Sequence, residues 1–266
     1  MKIGVFDSGL GGLIITQSLV QFLPQYDYIY LGDTARVPYG NRSQEVIYDF
    51  TLSAVKRLFE LDCQLIILAC NTASADALRR IQQEYLPQFY PDRRVLGVII
   101  PAAEVAAAQT KNGRIGVIAT LGTITSGAYD RELRKLLPDV QIFSQPTPLL
   151  VPLVENDAAK YAPVILKDYL APLVQSDIDT LVLGCTHYPM LKEQIKAIVG
   201  ADVNLVSQDE IIPDKLRDYL SRHPEIAQKL GSGNTAQFLT TDLAPSTAAV
   251  AAQLFGKPIH LEKTSL

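Results

Sequence analysis

Two short apolar runs that end in a cysteine constrain this chain most. The run Leu65–Leu68 is followed by Ala69-Cys70-Asn71-Thr72-Ala73, and the run Thr180–Leu183 is followed by Gly184-Cys185-Thr186-His187. Runs of this length predict strands that are buried on both faces, each followed by a helix. Open α/β sheets bind their ligands at the carboxyl ends of the strands. The sequence therefore predicts an α/β fold with Cys70 and Cys185 at equivalent strand ends.

These runs belong to a longer internal repeat. Arg114-Ile115-Gly116-Val117 repeats Lys2-Ile3-Gly4-Val5 at an offset of 112 residues, and Leu183-Gly184-Cys185 repeats Leu68-Ala69-Cys70 at an offset of 115. We interpret this as a duplication that gives two similar α/β units, each with a mainly parallel sheet. The expected first domain comprises residues 1–98 and 208–266, and the second comprises 99–207.

The remaining local patterns predict a simple order of elements. A glycine-rich turn, Asp7-Ser8-Gly9-Leu10-Gly11-Gly12, follows the first strand and precedes a helix of about ten residues from near Leu13. Further expectations are a helix through Tyr85 that breaks at Pro87 to Pro91, a strand over 95–99, a helix with Pro101 in its first turn, a strand over 237–240 that returns to the first unit, and a frayed tail over 263–266.

Composition narrows the class of protein. A net charge of −4 gives no basic surface for nucleic acid or an anionic membrane, so neither partner is expected. No run approaches the ~20 apolar residues of a membrane span, and the first residues enter a strand directly, which favours the cytoplasm. Three cysteines, an odd number, do not suggest a disulfide framework and suit a reducing compartment.

The three cysteines differ in their expected roles. Cys63 precedes its strand with no reactive neighbour and is expected to be a core residue. Cys70 and Cys185 are each followed by polar residues at a predicted helix entrance, where backbone amides and the helix dipole favour the thiolate. The duplication suggests that both thiols face a common cleft.

Three chemistries could use two such thiols. A redox disulfide is disfavoured because C-x-x-C spacing is missing. Zinc bound by Cys70, Cys185 and His187 lacks the usual close ligand pair. The third is proton transfer at a carbon atom, in which one thiolate removes a proton and the opposite thiol delivers another. Asp7 and His187 are suitable auxiliary groups. Donors for substrate carboxylates are Ser8, Tyr39, Gly40, Asn71, Thr72 and Thr186.

As an ordered set, five motifs resemble the bacterial glutamate racemase family. The resemblance runs from near residue 3 to about 210, and it implies cofactor-independent interconversion of L- and D-glutamate for peptidoglycan synthesis. It also implies two α/β domains related by pseudo-twofold symmetry, with the active site in the cleft between them. The motifs are Asp7-Ser8-Gly9-Leu10-Gly11-Gly12, Pro38-Tyr39-Gly40, Ala69-Cys70-Asn71-Thr72-Ala73, Val151-Pro152-Leu153-Val154-Glu155 and Gly184-Cys185-Thr186-His187-Tyr188-Pro189.

The resemblance also assigns roles to residues. It implies that Cys70 acts on the D enantiomer and Cys185 on the L enantiomer, with Asp7 and His187 as auxiliary catalytic groups. A further glutamate maps to Glu155, although many members have Cys-Pro-Leu where this chain has Thr147-Pro148-Leu149. Substrate contacts map to Asp7, Ser8, Tyr39, Gly40, Asn71, Thr72, Thr186 and His187.

Several alternatives stay open. The nearest alternative is a related racemase that acts on aspartate or a hydantoin, or a related decarboxylase or isomerase. Aspartate racemases typically carry Glu after Cys-Thr, where this chain has His187. A two-lobed amino-acid-binding protein without catalysis and a metal-dependent enzyme are the others. No lysine stands in a pyridoxal phosphate setting, so no cofactor is expected. If the α-carbon lies between both sulfurs, they should be roughly 6–7.5 Å apart and unbonded. The oligomeric state is open, with a homodimer as one candidate.

Overall fold

A computed structural model describes all residues, 1–266. The chain divides into two compact units, one of residues 1–98 and 212–266 and the other of residues 99–211. None of the helices combines the length and the apolar composition that crossing a membrane would require.

All strands pair in parallel and form one sheet in each unit. The first unit has a six-stranded sheet of order β10-β9-β2-β1-β3-β4, and the second has a four-stranded sheet of order β6-β5-β7-β8. The strands are β1 (Lys2–Asp7), β2 (Tyr28–Gly32), β3 (Cys63–Leu68), β4 (Arg94–Gly97), β5 (Arg114–Ala119), β6 (Gln141–Pro146), β7 (Thr180–Gly184), β8 (Asn204–Ser207), β9 (Ala236–Thr240) and β10 (Leu261–Lys263).

At least one helix lies between every two consecutive strands, as parallel pairing requires. The helices are α1 (Gly12–Phe22), α2 (Gln44–Glu60), α3 (Asn71–Asp76), α4 (Leu78–Arg80), α5 (Leu86–Phe89), α6 (Ile99–Gln109), α7 (Leu121–Thr125), α8 (Ala128–Leu136), α9 (Leu150–Glu155), α10 (Ala162–Gln175), α11 (Lys192–Val199), α12 (Gln208–Arg222), α13 (Pro224–Ala227) and α14 (Thr247–Phe255). A π-helical turn covers Ile81–Tyr85, and 3₁₀ turns cover Ala159–Tyr161 and Tyr188–Leu191.

The two sheets share one strand order. In the first unit, β2-β1-β3-β4 has the same succession as β6-β5-β7-β8 in the second, and β9 and β10 extend only the first sheet. The predicted duplication of an α/β unit with a parallel sheet is therefore confirmed, as is the return of the strand near 237–240 to the first unit. In each sheet the chain first adds a strand on one side of the opening strand and then on the other. This reversal places a switch point between β1 and β3, and another between β5 and β7.

The buried strands explain the apolar runs. All residues of β3 and of β7 are buried, so both faces of these strands lie against other parts of their units. Cys63 is fully buried, and burial raises the pKa of its thiol to about 12. A Cβ on Gly4 of β1 would lie only 3.1 Å from the Cys63 sulfur. Cys63 therefore lies in the core, as the sequence indicates.

Three local expectations differ from the structure in their bounds. The break expected over Pro87 to Pro91 begins only after Phe89, because the wider hydrogen-bond spacing of the π turn before Pro87 loosens the helix where the proline ring would clash with a carbonyl. The strand expected over 95–99 covers Arg94–Gly97, since Ile99 already begins α6. The expected frayed tail includes the end of β10, where the Thr264 N–H donates to the Thr240 carbonyl at 2.9 Å.

Candidate active site

The first group of predicted residues lies at the switch point between β1 and β3. Asp7 is the last residue of β1, and Cys70 follows the neighbouring strand β3 by two residues. Both are buried, with exposed fractions of 1% for Asp7 and 6% for Cys70. Because parallel strands end at the same edge of a sheet, the fold brings these two residues to one edge.

Cys70 is itself the N-cap residue of α3. Its sulfur accepts the Ala73 N–H at 3.5 Å, and the Ser8 hydroxyl oxygen lies 3.2 Å from it. Asn71 and Thr72 form the first helical positions and are buried. An amide donor and the positive end of the helix dipole both favour the thiolate form of a cysteine. The expectation of a helix entrance at Cys70 is confirmed.

Asp7 is held by the glycine-rich turn. The Gly9 N–H donates to Asp7 Oδ2 at 3.0 Å, so the carboxylate closes a turn within the motif. The N-cap position of α1 is taken by Gly11, without a side-chain cap. Asp7 is therefore not the cap of α1, and its carboxylate is held at the edge of the sheet.

Gly12 gives a test of this placement. A Cβ at Gly12 would lie 2.6 Å from Asp7 Cβ and 3.1 Å from Asp7 Cγ, so Gly12→Ala must displace the buried carboxylate. We expect a loss of stability of about 1–3 kcal/mol, and a loss of activity in the folded fraction. Gly116→Ala in the second unit is the matched control, since its Cβ would meet the Ile178 Cδ1 methyl at 2.7 Å. Urea denaturation measures the stability of both variants, and an assay measures their activity per folded molecule. Equal activity in the two variants would contradict the role of Asp7.

The loop after β2 holds Tyr39 through a carboxylate that sequence reasoning missed. Asp33 is fully buried, and its Oδ2 accepts the Tyr39 hydroxyl at 2.5 Å and Arg36 Nε at 2.6 Å. Thr241 Oγ1 donates to Asp33 Oδ1 at 2.9 Å. Burial and the neighbouring Asp33 charge raise the pKa of Tyr39 far above its ordinary value. Its hydroxyl is thus engaged within the loop, and Gly40 follows in a turn closed by Arg42.

Asp33 had a usable signal in the sequence. It follows β2 directly, as Asp7 closes β1, so it also stands at a carboxyl end of the sheet. Its partner Thr241 lies 208 positions away in the chain, and the same Thr241 hydroxyl accepts the Ala35 N–H at 2.9 Å, so these contacts could not be inferred from local patterns.

The second group lies at the switch point between β5 and β7. Cys185 follows β7 and is 7% exposed. The chain then makes a turn in which the Tyr188 N–H donates to the Cys185 carbonyl at 3.1 Å, followed by the 3₁₀ turn Tyr188–Leu191. The first α-helical residue is Lys192. The expectation that Cys185 enters an α-helix directly was therefore wrong, because Pro189 and the 3₁₀ turn intervene.

Cys185 has a cationic neighbour instead. His187 Nδ1 lies 3.8 Å from the Cys185 sulfur and 3.4 Å from Thr186 Oγ1, and His187 Nε2 lies 3.0 Å from Glu155 Oε1. Burial lowers the pKa of His187, but hydrogen bonds to Cys185 and Glu155 raise it more, to about 10 from the ordinary 6.5. These contacts favour the imidazolium form of His187 near neutral pH. A positively charged imidazole beside a thiol stabilises a thiolate.

Glu155 is the last residue of α9, and its contact with His187 supports the role implied by the resemblance. The departure from the family pattern also has a structural account. Thr147 is fully buried, and its hydroxyl lies 2.5 Å from the hydroxyl of Tyr188. The hydroxyl at position 147 therefore has a partner on the residue next to His187, which sequence reasoning did not identify.

The two thiols are available for acid–base chemistry in the structure. None of the three cysteines forms a disulfide bond. No group of three or more His, Cys, Asp or Glu side chains is arranged to hold a metal ion. Each predicted catalytic thiol stands at a switch point and has its own polar neighbour, a helix amide at Cys70 and the His187 ring at Cys185. The distance between the two sulfurs stays a prediction.

One family of known proteins matches most of this chain. The family model described as Asp/Glu/Hydantoin racemase matches residues 3–207. Since this is most of the chain, the chain belongs to the Asp/Glu/hydantoin racemase family.

Similarity over the full length narrows the family further. The glutamate racemase of Persephonella marina is 40% identical over 100% of this chain and 98% of its own length. The crystal structure of a glutamate racemase isoform from Bacillus anthracis has a TM-score of 0.91 at 36% identity, covering 100% of this chain and 97% of that one. The glutamate racemase of Francisella tularensis in complex with D-glutamate has a TM-score of 0.89 at 33% identity, covering 99% and 97%. Within its family, the chain therefore groups with the glutamate racemases, and their two-domain α/β fold is the predicted one.

Proposed function

We propose that the protein is a glutamate racemase that interconverts L- and D-glutamate by proton transfer between two thiols, Cys70 and Cys185, without a cofactor. The observation that carries this proposal is the Cys185–His187–Glu155 array, in which the His187 ring stands between a thiol and a carboxyl group. Cys70 is the counterpart at the equivalent strand end, with a backbone amide and the Ser8 hydroxyl at its sulfur. The relatives at 36% to 45% identity are glutamate racemases, which supports glutamate as the substrate.

The proposed reaction balances in one exchange of protons. The thiolate of Cys185 takes the α-hydrogen of L-glutamate, and the electrons of the broken C–H bond stay on the substrate, delocalised into its α-carboxylate. The Cys70 thiol then donates its proton to the other face of the α-carbon and becomes a thiolate. The reverse sequence converts D-glutamate. In both directions Cys185 is a thiolate at one stage, and the neighbouring His187 imidazolium stabilises that charge.

The other predicted residues have two roles in this proposal. Asp7 is the auxiliary group for Cys70, as His187 is for Cys185. The substrate's carboxylates and ammonium group would be bound by Asp7, Ser8, Tyr39, Gly40, Asn71, Thr72, Thr186 and His187. Backbone and side-chain donors of this kind suit carboxylates. Tyr39 would act chiefly through the loop that its Asp33 hydrogen bond holds in place.

In the cell, we place the protein in the cytoplasm, where it would supply D-glutamate for peptidoglycan biosynthesis. Glutamate is the proposed small-molecule partner, and the net charge of −4 favours neither nucleic acid nor a membrane surface. The proposed assembly is a homodimer, which sedimentation equilibrium would test. A single species at the mass of one chain, 29.2 kDa, would contradict it.

Proton NMR in heavy water tests the reaction directly. Protein purified without added cofactor is incubated with D-glutamate and, separately, with L-glutamate, and the loss of the α-proton signal is followed. We expect exchange with both enantiomers, together with the appearance of the opposite enantiomer. Exchange with aspartate alone would support the proposed proton-transfer mechanism and show that the substrate is aspartate and not glutamate. Binding without exchange for either amino acid would contradict the proposal and favour a non-catalytic binding protein.

A further inference from the structure

A pair of buried hydroxyl groups beside Cys185 has no part in the proton transfers described above. Thr147 follows β6, and Tyr188 is the residue after His187. Their hydroxyl oxygens lie 2.5 Å apart, and both residues have an exposed fraction of 0%. The Thr147 N–H donates to the Ala119 carbonyl at 2.9 Å, which fixes Thr147 to the end of β5.

Both hydroxyl groups have an acceptor for their hydrogen atom, whichever of the two donates to the other. The Thr147 hydroxyl lies 3.2 Å from the Ala119 carbonyl oxygen, and the Tyr188 hydroxyl lies 3.3 Å from the Thr147 carbonyl oxygen. If Tyr188 donates to Thr147, Thr147 donates to Ala119. If Thr147 donates to Tyr188, Tyr188 donates to the Thr147 carbonyl. Because a buried hydroxyl without a partner is costly, the pair is specific for two hydroxyl groups at this point.

The segment 147–155, which begins at Thr147, and the segment 185–188, which ends at Tyr188, also contact each other at the Cys185–His187–Glu155 array. The Leu150 N–H donates to the Thr147 carbonyl at 3.3 Å where α9 begins, and α9 ends at Glu155. On the other segment, Tyr188 is bonded directly to His187, whose Nε2 lies 3.0 Å from Glu155 Oε1. The contact between Thr147 and Tyr188 is fully buried, whereas the Glu155 side chain is 33% exposed. Water can therefore reach the Glu155 side chain but not the contact between Thr147 and Tyr188.

We propose that the Thr147–Tyr188 hydroxyl pair is a positioning element that holds Glu155 and Cys185 on opposite nitrogens of the His187 ring. Its catalytic consequence rests on the proposed racemase function, but its structural consequence does not. The pair acts by fixing the register between the segment 147–155 and the segment 185–188. Neither hydroxyl touches the reacting atoms.

The test compares Thr147→Val, which removes the hydroxyl at nearly constant volume, with Thr147→Ser, which keeps it. The first readout is the NMR titration of the His187 imidazole in the full-length protein, assigned among the three histidines with the His187→Gln variant. With a looser Glu155 contact, we expect Thr147→Val to lower the titration midpoint of His187 by about one pH unit. Thr147→Ser is expected to titrate as the wild type does.

The second readout is kinetic. We expect Thr147→Val to lower kcat about tenfold, less than the ~10²–10⁴ that an acid–base group contributes, with KM changed less than about twofold. Tyr188→Phe is the second variant, which should give the same two effects and keeps the proposal testable if Thr147→Val does not fold. Where both single variants fold, the double variant should be no worse than either one, because both remove the same hydrogen bond.

Thr51→Val is the matched control. Thr51 is equally buried, lies in α2 of the first unit, and has a hydroxyl without a hydrogen-bond partner. It should change neither readout. The proposal is overturned if Thr147→Val titrates and turns over as the wild type does, or if Thr147→Ser is impaired as strongly as Thr147→Val. If the wild type racemises no glutamate, the proposed function fails while the His187 titration still decides the positioning role.

Discussion

Replacing either Cys70 or Cys185 by Ala is expected to lower racemisation in both directions by roughly 10²–10⁴-fold, the usual contribution of a positioned acid–base group. Each turnover needs one thiolate to remove a proton and the other thiol to supply one. A protein with a single thiol can still remove and return a proton on one face. We therefore expect Cys70→Ala to retain slow solvent exchange with L-glutamate, and Cys185→Ala to retain it with D-glutamate, measured by the α-proton signal in heavy water.

Cys63→Ala provides the control for this pair. Its thiol lies in the core of the first unit, where burial raises its pKa to about 12, so it cannot serve as a base near neutral pH. The variant is expected to lose some stability and to keep full activity per folded molecule. An activity loss in Cys63→Ala equal to that in Cys70→Ala would contradict the assignment of the two thiols. So would equal exchange of both enantiomers in Cys70→Ala and in Cys185→Ala.

The second large effect is expected at His187. His187→Gln removes the charge beside Cys185 and should lower kcat by about 10²-fold. Glu155→Gln leaves the ring in place but removes one cause of its raised pKa, so it should move the alkaline limit of kcat/KM to lower pH while the activity near neutral pH falls less. Rate profiles from about pH 6 to about pH 11, beyond the raised pKa of His187, measure this for the three proteins. An unchanged alkaline limit in Glu155→Gln would contradict the role of that contact.

The raised pKa of His187 also predicts that its contribution to the free energy of unfolding decreases at alkaline pH. The pKa of His187 is about 10 in the folded protein and near the ordinary 6.5 when unfolded. Between these values the folded state binds more protons, so the stabilisation is complete below about pH 6.5 and is lost as pH rises through about 10. Urea denaturation of wild type and His187→Gln across this range isolates the contribution. The difference between the two should shrink toward alkaline pH, and a growing difference would show the opposite sign.

The sequence predicted most of the fold because the decisive strands carry strong signals. Strands buried on both faces, such as β3 and β7, appear as uninterrupted apolar runs, and a duplication gives each signal twice. The sequence patterns were insufficient where a short strand or helix depends on a neighbouring element for its formation. The three-residue strand β10 exists because β9 offers it a parallel edge, and the helix continues past Pro87 because a π turn precedes it.

The site was predictable in its thiols and not in its supporting contacts. Cys70, Cys185 and His187 were visible as polar residues placed directly after apolar strands. Glu155 lies 32 positions from His187, and Thr147 lies 41 positions from Tyr188, so no local pattern connects them. Glu155 was predicted as a site residue only from the family resemblance. The Thr147–Tyr188 pair needed three-dimensional structure, since Thr147 differs from the residue that the family usually has there.

The late return of the chain to the first sheet sets an order of events during synthesis. Strand β2 has β1 on one side, and its other neighbour, β9, begins only at Ala236. Until then the growing polypeptide exposes an open edge at β2, and Asp33 lacks its hydrogen bond from Thr241. The last thirty or so residues, remote from Cys70 in the chain, therefore decide when the Cys70 unit becomes resistant to proteolysis. Nascent chains cut short before Ala236 should be degraded in this unit first.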